Sequence, residues 1–80
     1  MNTSKIITTD GSTLELHYEI IELNGNYGIR ISESSNGQII DEVTIKDITN
    51  LKDKIIHIFN LLSRNEVTPC TLLEVLDDIL

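Results

Sequence analysis

Eighty residues suffice for one small domain and not for two. Thirteen acidic side chains against six basic ones give a net charge of −7, which disfavours nucleic-acid phosphates and anionic lipid as partners, and the lone cysteine, Cys70, excludes an intrachain disulfide framework. No stretch reaches the roughly 18 apolar residues that cross a bilayer, and residues 1–5 lack the apolar run of a secretory signal, so the expected address is cytoplasmic.

Apolar residues make up 40% of the chain, but Tyr18, Tyr27 and Phe59 are its only aromatics, so the core must be built mainly from Ile and Leu. The pattern changes once, near Asp47. Before it, apolar residues alternate and turn dipeptides recur. After it, apolar spacing is helical. The expected architecture is α+β: a four-stranded antiparallel meander over residues 5–46, then a helical hairpin over residues 49–80 with both helices on one face of the sheet, all in one domain spanning residues 1–80.

Asp10-Gly11, Asn24-Gly25 and Asn36-Gly37 divide the first half, each able to adopt positive φ. A two-residue turn at Asn24-Gly25 pairs Ile20 with Ile29 and Tyr18 with Ile31. Leu14, Leu16, Tyr18 and Ile20 then share a face with Tyr27, Ile29 and Ile31, and a two-residue turn at Asp10-Gly11 adds Ile7 opposite Leu14. A two-residue turn at Asn36-Gly37 would put Glu42 against Ile31 in the core. A three-residue loop, Ser35-Asn36-Gly37, is therefore expected. It sets Val43 against Ile29 and Ile45 against Tyr27, with Asp41 near Ile31 at the core edge. On the other face, Arg30 is then expected opposite both Glu19 and Glu42, among Glu15, His17, Ser32 and Thr44, with Ile6, Ile21 and Ile40.

The first helix is expected to start at a Thr49 or Asn50 cap and end near Arg64-Asn65, with Leu51, Ile55, Ile58 and Leu62 as its apolar stripe and Phe59 beside them. Thr68-Pro69 announces the second helix, a cap residue followed by proline at the first helical position. Its expected apolar side is Leu72, Leu73, Leu76, Ile79 and Leu80, anchored by Val67.

Two segments carry a family resemblance: Asn26-Tyr27-Gly28-Ile29-Arg30-Ile31, and Asn65-Glu66-Val67-Thr68-Pro69-Cys70-Thr71-Leu72-Leu73-Glu74-Val75-Leu76-Asp77-Asp78. Over residues 14–80 the chain resembles small clostridial proteins of a domain-of-unknown-function family, with a Tyr-Gly-Ile strand and a Val-Thr-Pro helix start ahead of a Leu…Val…Asp helix. The resemblance implies a bacterial, cytoplasmic, single-domain protein and no chemistry. Cys70 departs from it, standing where an aliphatic residue is expected.

The residues that could carry chemistry are few. His17 lies between Glu15 and Glu19 along one strand, about 6–7 Å apart in series, which does not bring three metal ligands together. His57 has only Asp53 within helical reach. Cys70, in the first turn of a helix, is expected to be a small, half-buried residue rather than a reactive thiol. Glu74, Asp77 and Asp78 crowd the negative end of the last helix, an unfavourable placement that marks either a partner surface or a solvated end. The chain has no phosphate loop, zinc spacing or nucleophile elbow.

No enzyme and no cofactor are therefore expected. The expected function is that of a small regulatory or adaptor protein, acting on a protein partner or as a homodimer, with neither nucleic acid nor membrane as partner. The candidate interaction surface is Glu15, His17, Glu19, Ile21, Arg30, Ile40 and Glu42, together with Glu74, Asp77 and Asp78. Ile21, Ile40, Ile56 and Leu61 exceed what one core needs. The alternative is an acidic nucleic-acid mimic, of phage or mobile-element type, that inhibits a basic nuclease; Arg30, Lys46, Lys52 and Lys54 interrupt its acidic surface. Lys46, Lys52, Lys54 and Arg64 form the only candidate nucleic-acid patch, and Asp47 and Asp53 break it.

Overall fold

A computed structural model describes residues 1–9 and 11–80. Strands β1 (Asn2–Thr9), β2 (Ser12–Leu23), β3 (Asn26–Ser35) and β4 (Gln38–Thr49) are followed by helix α1 (Lys52–Arg64), a 3₁₀ turn (Pro69–Thr71) and helix α2 (Leu72–Ile79). The strands form one antiparallel sheet in the order β1-β2-β3-β4. The α+β meander with two trailing helices is as expected. The strands reach further than residues 5–46, because β1 begins at Asn2 and β4 runs on to Thr49.

The first two hairpins keep the expected register. Ile7 faces Leu14, Tyr18 faces Ile31 and Ile20 faces Ile29. Asn24 and Gly25 both take left-handed backbone, at φ 54° and 83°, the type I′ geometry whose twist matches the flanking strands. Asp10 lies outside the described residues; around it, Thr9 pairs with Ser12.

The third hairpin differs from expectation. Asn36 and Gly37 are again both left-handed, at φ 52° and 82°, and Ser35 pairs with Gln38, so the turn has two residues and not three. What keeps Glu42 out of the core is a bulge. Ser34 faces Ile39, Glu33 faces Asp41, and Ile40 is the extra residue between them. Downstream of the bulge Val43 faces Ile31 and Ile45 faces Ile29, while Arg30 faces Thr44 and Glu42 faces Ser32. Arg30 is thus not opposite Glu42, and Asp41 is not beside Ile31. A second irregularity follows, with Tyr27 paired to Thr49 and Asp47 at φ 55°.

Leu16, Tyr18, Ile29 and Ile31 are buried against Ile55, Ile58, Phe59 and Leu62 of α1, and Val67, Leu72 and Leu76 close the core. Leu51 does not join that stripe. Thr49 is still in the sheet, so α1 begins at Lys52 and leaves Leu51 exposed at the helix entry. Neither Thr49 nor Asn50 occupies the cap position, although the Leu51 N–H donates to Thr49 Oγ1 at 3.1 Å. Ile56 is half-buried and packs on the core instead of being surplus to it. Pro69 opens the 3₁₀ turn, and α2 starts three residues later. It buries Leu72 and Leu76 but leaves Leu73, Ile79 and Leu80 exposed.

The end of α1 explains how the chain turns toward α2. Glu66 takes left-handed backbone at φ 53°. Its N–H donates to the Ser63 carbonyl, and the Val67 N–H donates to the Leu62 carbonyl. This is a Schellman termination with glutamate where glycine is usual. It carries Val67 into the core, where Tyr18 Oη donates to the Val67 carbonyl at 2.9 Å.

Candidate functional site

Both helices lie on the face of Tyr18 and Ile29, so the opposite face of the sheet has no second layer among the described residues. Strand alternation sends Ser4 and Ile6 of β1, Glu15, His17, Glu19 and Ile21 of β2, Gly28, Arg30, Ser32 and Ser34 of β3, and Ile39, Glu42 and Thr44 of β4 to this open face.

Cross-strand hydrogen bonds order its centre. Arg30 Nη1 donates to Glu19 Oε1 at 3.1 Å, and Arg30 Nε donates to Thr44 Oγ1 at 3.2 Å. Ser32 Oγ donates to Glu42 Oε2 at 2.9 Å, and Ser4 Oγ lies 2.9 Å from His17 Nδ1. The Arg30–Glu19 pair is part-exposed, and such pairs contribute about 0–1 kcal/mol. What the network does is hold polar heads in place across all four strands. Ile6 and Ile39, 67% and 65% exposed, add apolar area at the end of the face near the Asn36-Gly37 turn.

At the other end is a shallow cavity of about 170 Å³, lined by Ile21, Gly28, Arg30, Lys46 and Asp47 among others. Gly28, on its wall, lets β4 approach β3 closely. A Cβ there would collide with the Ile45 carbonyl oxygen and sit 3.0 Å from Lys46 Cα, because the irregular end of β4 presses its backbone onto β3. Gly28→Ala is expected to cost about 1–3 kcal/mol by overpacking. Urea unfolding measures it, and a loss below about 0.5 kcal/mol would mean that β4 can move aside.

Glu15, His17, Glu19, Ile21, Arg30 and Glu42 are therefore brought together on one face. Ile40 is exposed at the bulge, and Ile39, which sequence reasoning did not single out, stands opposite Ser34 in the ladder. Glu74, Asp77 and Asp78 are exposed on α2, in the helical layer, and do not join the others. Cys70 is exposed in the 3₁₀ turn and not half-buried. Among the described residues, no three of His, Cys, Asp and Glu converge as metal ligands, and no helix is long and apolar enough to cross a membrane. The cavity was missed by sequence reasoning, yet a glycine inside a strand is the usual mark of close backbone approach.

No curated protein and no solved structure matches the chain. A family model matches it from residue 1 to residue 80, and the chain belongs to that family, DUF6514, a family of unknown function.

Proposed function

We propose that this chain is a non-enzymatic regulatory or adaptor protein that docks another protein on the open face of its sheet. The observation that carries this reading is the uncovered face itself: an ordered Glu19–Arg30–Thr44 centre flanked by exposed Ile6 and Ile39. Ile6 and Ile39 supply apolar area that a partner can bury, and the ordered polar groups beside them form a rim that fixes its orientation. The lone exposed thiol, Cys70, suits a reducing, cytoplasmic compartment. The likeness of the Tyr27-Gly28-Ile29 and Val67-Thr68-Pro69 segments to clostridial proteins supports a bacterial one.

The test is capture of a stoichiometric partner by the tagged protein in its own host, with Arg30→Glu and Ile39→Asp as folded controls. Loss of the partner in both variants at moderate and high salt supports docking on this face. Retention by both variants sinks it. A basic nuclease captured only at low salt would favour the acidic-mimic reading instead.

A further inference from the structure

The two edges of the sheet are unlike. β4 is broken by two register shifts, by the extra residue Ile40 and by the left-handed Asp47, and it carries Asp41, Glu42 and Asp47. Bulges and charges of this kind blunt an edge against pairing. β1 has none of the bulges: all eight residues from Asn2 to Thr9 pair with β2 in one unbroken register. Its sequence, NTSKIITT, is rich in β-branched residues and has neither proline nor glycine. It is also the only strand without a carboxylate, in a chain of net charge −7.

The backbone of β1 alternates between two directions. The Ile20 N–H donates to the Met1 carbonyl at 2.9 Å, which makes Met1 and Ile20 a hydrogen-bonded pair. Alternation in an antiparallel ladder then points Thr3, Lys5 and Ile7 at β2 and leaves the N–H and C=O groups of Asn2, Ser4, Ile6 and Thr8 directed away from the sheet. Such a row is a template for another strand.

We propose that a second copy of this chain fills it, β1 against β1, antiparallel about a two-fold axis at Ile6, so that the two sheets join edge to edge. Self-complementarity selects the occupant: about Ile6 the edge sets isoleucine against isoleucine and serine against threonine, with no carboxylate of β1 on either copy. Each copy repels another over most of its surface, and the carboxylate-free edge is where two copies approach with least opposition. The register follows from Lys5. An axis at Lys5 would set the two ammonium groups directly opposite, which is destabilising. An axis at Ile6 sets Lys5 against Ile7 of the second copy, Ser4 against Thr8, and the two exposed Ile6 side chains against each other. The contact is isologous and closes as a dimer.

Sedimentation equilibrium of the full chain, from about 1 µM to about 1 mM, tests it. The mass is expected to rise from 9.0 kDa toward twice that value. Ile6→Pro removes an N–H that does not point at β2, and proline is tolerated at such edge positions. That variant is expected to stay monomeric with an unchanged circular dichroism spectrum. Ile6→Lys, which leaves the backbone intact, is expected to weaken association at least tenfold should the proline variant fail to fold. Amide exchange at Ser4, Ile6 and Thr8 is expected to slow at high concentration, while Thr3, Lys5 and Ile7 do not change. A chain that stays at 9.0 kDa throughout, a dimer that survives Ile6→Lys, or exchange independent of concentration overturns the proposal. The variants lie on β1 and the readout is self-association, so this result and the partner capture can fail independently.

Discussion

Phe59→Ala is expected to remove a large share of the stability of the domain, about half at mid-range values. Phe59 is the only phenylalanine, 2% exposed, on the α1 face that meets the sheet. Truncating a buried phenylalanine costs about 3–5 kcal/mol, part lost transfer energy and part cavity. An 80-residue domain holds about 4–12 kcal/mol in all. The surrounding core is aliphatic, and Ile29, Ile31, Ile55 and Leu62 are already fully buried, so little can relax into the space. Urea unfolding of wild type, Phe59→Leu and Phe59→Ala measures the effect. The leucine variant should fall between the other two. A loss under about 1.5 kcal/mol for alanine would mean that α1 rests loosely on the sheet.

Raising the pH through the range of Tyr18 is expected to have the next largest effect. Burial pushes the Tyr18 hydroxyl up from 10.0 to about 12, and the Glu66 carboxylate adds to the shift. The protonated form is the one the fold accepts, since it donates to the Val67 carbonyl. A folded-state value above the unfolded one means that the contribution is complete below pH 10 and is lost as pH rises from 10 to about 12. The loss is on the order of 2–3 kcal/mol. Tyr18→Phe should cost about 1–3 kcal/mol at neutral pH, because the Val67 carbonyl loses its donor, and should flatten the alkaline decline. Urea midpoints from pH 8 to 12 for both proteins decide the matter. Equal slopes in the two would show that the alkaline loss comes from other groups.

The legible part of the fold was the part set by local rules. Asn-Gly dipeptides and alternating apolar residues gave the register of β1, β2 and β3 pair by pair, and the Arg30–Glu19 ion pair with it. Glu42 does stay out of the core and Val43 and Ile45 do face it, but each pairs two residues away from its expected partner, Val43 with Ile31 and Ile45 with Ile29. The mechanism was not legible, because a one-residue offset can be placed in the turn or in the strand. Asn36-Gly37 is such a favourable two-residue turn that the offset went into the strand. Helix boundaries failed for a related reason. Thr49 is a good cap by type but is still held by Tyr27 across the ladder. The open face was legible as a set of residues. The cavity beside Gly28 depends on the second irregularity of β4, whose only trace in the sequence was the glycine itself.

Ile40 has one more consequence, for changes in chain length. Ser34 pairs with Ile39 and Glu33 with Asp41, so excising Ile40 would leave every other partner in the hairpin unchanged and convert β4 into a regular ladder along its first half. Excising Val43 would instead be costly either way: closing the bulge to absorb the loss would move Glu42 opposite Ile31 in the core, and keeping the bulge would turn the side chains that follow inside out, because each strand position alternates between the two faces. The bulge is therefore the place in the hairpin where a residue can be lost without penalty to the core. A relative one residue shorter here would be expected to lack this one, and to present a flatter outer strand as the result.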